Sequence, residues 1–193
     1  MKEKDRRKTQ KGFSLVELLI VLFLSGIVLA GIYKIFFSQQ CAYRNQEQVV
    51  ELNQNLRAAL DLMVREIRLA NYRTSASSVL GILEASSTRI RVLADLNQDG
   101  DTLDADEDIT YAYDPGSQKV WRNDAQFVLA ENIVQFSFLY TLADGSTTQN
   151  PTQLGEIRKI TVSLTGRTAF PSLATGQYRT LALTSDITPR NML

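Results

Sequence analysis

The sequence predicts an α+β protein in which one long N-terminal helix packs, by its second half, on an antiparallel β-sheet head. Three patterns in the 193 residues predict this fold. An uncharged apolar run, LLIVLFLSGIVLAGIY, covers residues 18–33. Apolar side chains then recur at spacings of three and four as far as Ala70, as on one face of an amphipathic helix. After residue 88, apolar side chains alternate with period two, as in half-buried strands.

Charge and composition exclude several classes of function. Lys+Arg and Asp+Glu are both 21, so no basic excess indicates a nucleic-acid partner. The chain has no histidine, which removes Ser-His-Asp and Cys-His catalysis, His-ligated zinc and the usual general base. We therefore expect a protein that is not an enzyme and that requires no cofactor. Cys41 is the single cysteine, so no internal disulfide forms.

The N-terminal segment has the composition of a membrane anchor. About 20 apolar residues, interrupted by Glu17, are enough to span a hydrocarbon core as a helix. Six basic residues precede them, so the N-terminus is expected to stay cytoplasmic while the head is exported to the periplasm. The alternative is a secretory signal peptide, which would be cut after the apolar run, at Ser25-Gly26 or Ala30-Gly31.

The junction before the run fits a different processing event. It reads Lys11-Gly12-Phe13-Ser14-Leu15-Val16-Glu17, with a glycine, an aromatic residue and then a carboxylate. This stretch resembles the prepilin peptidase site of type IV pilins and type II secretion pseudopilins. The resemblance implies cleavage between Gly12 and Phe13, N-methylation of Phe13, and retention of the apolar run, first as an anchor and later as filament core.

Glu17 needs an explanation because a carboxylate within a membrane helix is costly, by about 2.5–3.5 kcal/mol at the centre and less toward the edge. The resemblance implies that its partner is the charged amine of a neighbouring subunit's first residue, an attraction that low dielectric strengthens. The alternative is a glutamate that lies at the level of the lipid headgroups without a role in assembly.

The second half of the helix carries a further resemblance. We expect the helix to run from about Phe13 to Ala70, with Val49, Leu52, Leu56, Leu60, Met63, Ile67 and Ala70 on its apolar face, and to end at Asn71 and Thr74–Ser78. Residues 53–72, with Arg57, Arg65 and Arg68, resemble the same stretch of PilW-type minor pilins and related minor pseudopilins. The C-terminal pair Arg190-Asn191 agrees with that resemblance.

The head is expected to contain several short strands joined by turns at Asp114-Pro115-Gly116, Asp144-Gly145 and Asn150-Pro151. The predicted strands form one antiparallel sheet against the helix. They lie within or around Arg89–Ala94, Ile109–Tyr113, Lys119–Arg122, Gln126–Leu129, Ile133–Leu142, Arg158–Thr165 and Tyr178–Thr184. In Ile133–Leu142, the side chains of Val134, Phe136, Phe138 and Tyr140 are expected to share one face.

An acidic loop between two predicted strands has the pattern of a calcium loop. Residues 95–106 read DLNQDGDTLDAD, with oxygen ligands at alternate positions and Gly100 where the chain turns sharply. The candidate Ca²⁺ ligands are Asp95, Asn97, Asp99, Asp101 and the closing residue Asp106, with Glu107 one position further on. The alternative is a solvated hairpin turn that binds no metal.

Taken together, the sequence predicts a leader at 1–12, a membrane and filament-core helix at 13–36, an amphipathic helix at 37–72 and a β-sheet head at 73–193. The resemblance implies a minor type IV pilin that helps to start pilus assembly at or near the tip. Its partners would be other pilins, prepilin peptidase and the inner-membrane assembly platform. Two alternatives stay open: a minor pseudopilin of a type II secretion system, and a filament-displayed adhesin head.

Overall fold

The computed structural model describes residues 12–72, 81–104 and 106–191. The leader up to Lys11, the Thr74–Ser78 stretch expected to end the helix, and Met192 and Leu193 lie outside the described residues. The chain divides into two compact units, Met1–Arg44 and Asn45–Leu193.

Helix α1 runs from Leu15 to Arg68, within two residues of the predicted bounds. No proline interrupts it, since the first proline of the chain is Pro115. Beyond its last turn, Asn71 adopts φ 62°, the left-handed conformation that commonly terminates helices. The backbone N–H of Asn71 then donates to Leu93 O (2.9 Å), which joins the helix end to the sheet.

The described part of the head contains two antiparallel sheets rather than the single sheet expected. The first has five strands in the order β1-β2-β3-β4-β5, and the second has four in the order β7-β6-β8-β9. The strands are β1 Ile82–Ala85, β2 Arg89–Leu93, β3 Asp108–Asp114, β4 Lys119–Arg122, β5 Val128–Ala130, β6 Ile133–Leu142, β7 Thr147–Thr148, β8 Ile157–Arg167 and β9 Thr180–Ile187. A short 3-10 helix, Leu154–Glu156, precedes β8.

Two strands and one change of register were not predicted from the sequence. Strands β1 and β7 are too short to show a reliable alternation, with four and two residues. In β6, Phe136, Phe138 and Tyr140 are buried as predicted, but Val134 is 39% exposed and Ile133 is buried instead. A bulge between Ile133 and Gln135 shifts the pairing with β8, and a one-residue shift exchanges the two faces of a strand.

One face of α1 forms the centre of the head core. Six of the predicted face positions are buried: Leu52, Leu56, Leu60, Met63, Ile67 and Ala70. Val49 is 38% exposed, because it lies beside Arg179 and Thr180 in a shallow cleft at the edge of the packed region. Strand β8 approaches the helix closely at Gly166, where a Cβ would lie 2.9 Å from Leu52 Cδ1. Its lack of a side chain therefore permits this contact.

The C-terminal segment is tied to the end of α1. The N–H of Arg190 donates to Arg68 O (3.2 Å), and Asn71 Nδ2 donates to Asn191 O. The Arg190-Asn191 pair thus contacts the helix terminus through its backbone. The bond between Asn71 and Asn191 joins residues 120 positions apart in the chain.

Candidate functional site: the apolar helix and the acidic loop

The first unit presents apolar side chains on every side of α1. Phe13 is 84% exposed, and every large apolar residue from Leu15 to Phe37 is more than half exposed. By length and composition α1 is able to cross a membrane. A helix that is apolar all round is stable only in lipid or among other helices, so this segment needs one of those environments.

Glu17 lies in the first turn of α1 and caps it. Its Oε2 accepts a hydrogen bond from the N–H of Ser14 (3.1 Å), and the N–H of Leu18 donates to Ser14 O (3.2 Å). Ser14 and Glu17 have the S-x-x-E spacing of a capping box, in which the glutamate reaches back to the N-cap N–H. The S-x-x-E signal for this cap is present in the sequence at Ser14 and Glu17. Within one chain the carboxylate already has a backbone donor.

The acidic loop between β2 and β3 is organised by carboxylate and amide side chains that accept from nearby N–H groups. Asn97 Oδ1 accepts from Asp99 N (2.9 Å), Asp99 Oδ1 from Asp101 N (3.0 Å), and Asp101 Oδ1 from Leu103 N (3.0 Å). Gly100 has φ 93°, a conformation that strains any side chain. Asp99 accepts hydrogen bonds from the Asp101 N–H and from the Asn97 side chain. These bonds, the first more than the second, hold the pKa of Asp99 below its ordinary value.

Three carboxylates of this region converge. Single oxygens of Asp95, Asp99 and Glu107 all lie within 4.8 Å of one another. Asp95 and Glu107 are buried, at 1% and 2% exposure, whereas Asp99 is exposed. The other predicted ligands, Asn97 and Asp101, lie in the same turn and are exposed.

Asp106 lies outside this cluster. Its carboxylate is 81% exposed and forms an ion pair with Arg122 Nη2 (3.1 Å). The next residue, Glu107, lies inside the cluster, and its Oε1 accepts from the N–H groups of Leu96 (2.7 Å) and Asn97 (3.1 Å). The structure therefore brings Glu107, and not the Asp106 of the sequence prediction, to the closing position of the loop.

A partly buried ion pair that the sequence did not predict lies beside the loop. Arg122 Nε donates to both oxygens of Glu66 (3.2 and 3.1 Å), and the two side chains are 14% and 15% exposed. The Tyr111 hydroxyl donates to the same carboxylate. Burial, together with the Glu66 carboxylate, raises the pKa of Tyr111 well above its ordinary value. Arg122 thereby joins the helix, the five-stranded sheet and Asp106 of the loop.

Two known sequence families match parts of this chain. Residues 7–33 match the prokaryotic N-terminal methylation motif, which contains the Gly12-Phe13 junction and Glu17. Together with the apolar helix and the antiparallel head, this match defines a prepilin-type, type IV pilin-like protein, and the predicted resemblance is confirmed. Residues 45–180, more than half of the chain, match a family described as prepilin peptidase-dependent protein B, and the chain belongs to that family. No curated protein was found to match the sequence.

Proposed function

We propose that this protein is a minor subunit of a type IV pilus that helps to start assembly at or near the filament tip. The observation that carries the proposal is the uncovered apolar helix, which follows a methylation motif and continues into a head of the prepilin peptidase-dependent protein B family. In the membrane the N-terminus is cytoplasmic and the head periplasmic. After extraction, the same helix packs among those of other pilins.

Processing prepares the chain for assembly. Prepilin peptidase cleaves between Gly12 and Phe13, and the new amine of Phe13 is methylated. Gly12 and Phe13 are exposed, and no atom of the described residues lies within 4 Å of the Cβ position of Gly12. Mass spectrometry of the protein from cells that contain the peptidase is expected to show a mature chain that begins with N-methylated Phe13. A mature chain that begins after Ser25 or Ala30 would indicate an ordinary signal peptide instead.

Glu17 guides docking in the apolar surroundings of the filament. Its partner is the charged Phe13 amine of a neighbouring subunit, and the low dielectric strengthens their attraction. The helix itself is held mainly by close packing, because transfer from lipid to a helix bundle gains little from the hydrophobic effect. The inner-membrane assembly platform and other pilins are the protein partners, and no nucleic acid takes part.

The first test is a clean deletion of the gene, scored in parallel for surface pili and for secreted exoproteins. Loss of pili with normal secretion is the expected result. Normal pili with exoproteins trapped in the periplasm would indicate that the protein is a minor pseudopilin of a type II secretion system and not a pilus subunit. If the deletion affects neither pili nor secretion, the remaining function is that of a binding head displayed on a filament. Its ligand would then be identified by binding experiments with the exported protein.

The second test complements the deletion with point variants. Glu17→Gln removes the charge and keeps the size, and we expect it to reduce surface pili about tenfold or more while the protein remains in the membrane. Glu47→Gln is the matched control, since Glu47 is also exposed on α1 but lies outside the apolar stretch. Equal piliation with both variants would show that Glu17 serves only as the helix cap that it forms with Ser14.

A further inference from the structure

We propose that the side chains of Asp95, Asp99 and Glu107 bind one calcium ion in the loop between β2 and β3. The site is independent of the filament system to which the protein belongs. It keeps two of the ligands expected from the loop sequence and replaces the closing ligand Asp106 with Glu107.

The buried carboxylate of Glu107 carries the proposal. Glu107 is 2% exposed, and its Oε1 already accepts hydrogen bonds from two N–H groups of the loop. Its other oxygen, Oε2, is buried and has no hydrogen-bond partner among the residues that the structure describes. A buried carboxylate oxygen without a donor or a cation is expensive, so this atom requires a partner of positive charge or a water.

The spacing of the carboxylates fits the size of calcium. Calcium binds oxygen at about 2.3–2.6 Å, so two ligand atoms on opposite sides of the ion are about 4.6–5.2 Å apart. The three carboxylate oxygens lie within 4.8 Å of one another, inside that limit. Magnesium binds oxygen at about 2.0–2.1 Å and demands a stricter octahedral geometry than calcium does.

The chemistry of the loop also favours a hard cation. The ligand set consists only of carboxylate oxygens, the hard ligands that calcium prefers. Asp101 and Asp104 add further negative charge close by. Within the described ranges, no arginine or lysine forms an ion pair with Asp99, Asp101 or Asp104, whereas Asp106 and Asp108 pair with Arg122 and Arg91.

The site adjoins the end of α1, which gives a bound ion a structural consequence. The N–H of Asp95 donates to Tyr72 O (2.7 Å), and Gln98 Nε2 donates to the Tyr72 hydroxyl (3.0 Å). The N–H of Ala94 donates to the Glu107 carbonyl (2.9 Å). Calcium between the side chains of Asp95 and Glu107 would therefore fix the loop, the ends of β2 and β3, and the segment that follows the helix.

The test measures calcium binding to the full-length protein in detergent micelles. Calorimetric titration with CaCl₂ is expected to give one site per chain, with a dissociation constant of about 0.1–1 mM, as in other extracellular modules. At 10 mM free Ca²⁺, the ratio of folded to unfolded head would rise by about 10- to 100-fold. The fluorescence of Trp121, the single tryptophan, follows this unfolding equilibrium. MgCl₂ is expected to give a much smaller change.

Two substitutions at adjacent positions separate the proposed site from nonspecific attraction by an acidic loop. Glu107→Gln keeps an acceptor for the Leu96 and Asn97 N–H groups but removes the charge, and should weaken calcium binding tenfold or more. Asp106→Asn removes the same charge from the same loop, outside the carboxylate cluster, and should retain the affinity. Should Glu107→Gln not fold, Asp99→Asn changes an exposed ligand without disturbing the core and should weaken binding in the same way.

Three results would overturn the proposal. The first is the absence of calcium binding by the wild-type protein; a water in the cavity of about 20 Å³ lined by Glu107 and Leu96 would then be the partner of Glu107 Oε2. The second is equal loss of affinity in the Glu107→Gln and Asp106→Asn variants, which would indicate diffuse attraction of counter-ions. The third is loss of affinity with Asp106→Asn alone, which would restore Asp106 as the closing ligand.

Discussion

Removing the charge of Glu66 is expected to destabilise the head strongly, because it leaves the partly buried Arg122 without its main partner. Glu66→Gln preserves the volume of the side chain and an acceptor for the Tyr111 hydroxyl, so the change is chiefly electrostatic. Breaking a fully buried ion pair by removing one partner costs about 3–5 kcal/mol. Here the two side chains are 14% and 15% exposed, and Arg122 keeps the exposed Asp106 as a second partner. We therefore expect a loss of about 3 kcal/mol in the free energy of unfolding.

The assay is urea unfolding of the full-length protein in detergent, followed by the fluorescence of Trp121. That residue lies on β4 and pairs with Ala112 of β3, so its emission reports on the head. The matched control is Glu131→Gln, which breaks the ion pair between Lys119 and Glu131, exposed by 39% and 55%. Exposed pairs of this kind contribute about 0–1 kcal/mol.

A double variant tests the physical reason. In Glu66→Gln with Arg122→Met, neither buried charge remains, so the combined loss should be clearly smaller than the sum of the two single losses. If Glu66→Gln costs no more than Glu131→Gln, the reasoning from burial is refuted. Additive losses in the double variant would show that the two side chains act independently.

Two further predictions concern the backbone near the helix end and the behaviour of the head in alkali. Gly81→Ala should destabilise the head by about 1–3 kcal/mol, because the new Cβ would clash with the backbone nitrogen and Cβ of Asn71. Gly155→Ala, with no described atom within 4 Å of its Cβ position, should be nearly neutral in the same urea assay. Burial raises the pKa of Tyr140 above its ordinary value of 10.0, so its contribution to stability is complete below pH 10 and is lost as pH rises further. Tyr140→Phe should reduce the alkaline slope of the unfolding free energy by about 1.4 kcal/mol per pH unit, and an unchanged slope would contradict this account.

Much of the pilin-like character of the chain could be predicted from the sequence because the relevant signals are local. The apolar run, the Gly12-Phe13 junction and the helical spacing from Leu52 to Ala70 are each contained within a few consecutive turns of chain. Periodicity of this kind specifies which side chains share a face before any tertiary contact forms. The helix bounds and its buried face accordingly agree with the prediction.

Which strands pair with one another in the head was decided only by the tertiary structure. Alternation shows that a strand has two faces, but it does not specify which strands pair, so the division into two sheets was not predicted. The bulge after Ile133 reversed the orientation of Val134, because a shift of one residue in pairing exchanges the faces.

The same distinction applies to the charged residues. The acidic loop was visible in the sequence, but whether Asp106 or Glu107 entered it depended on the direction in which β3 begins, which follows from its pairing with β2. Glu66 and Arg122 are 56 residues apart, and no local pattern connects them. The sequence by itself determined the helix and its N-terminal methylation motif, since these depend on neighbours along the chain. Only the folded head determined which carboxylates meet and that Arg122 pairs with Glu66, since those contacts form between segments that are distant in the sequence.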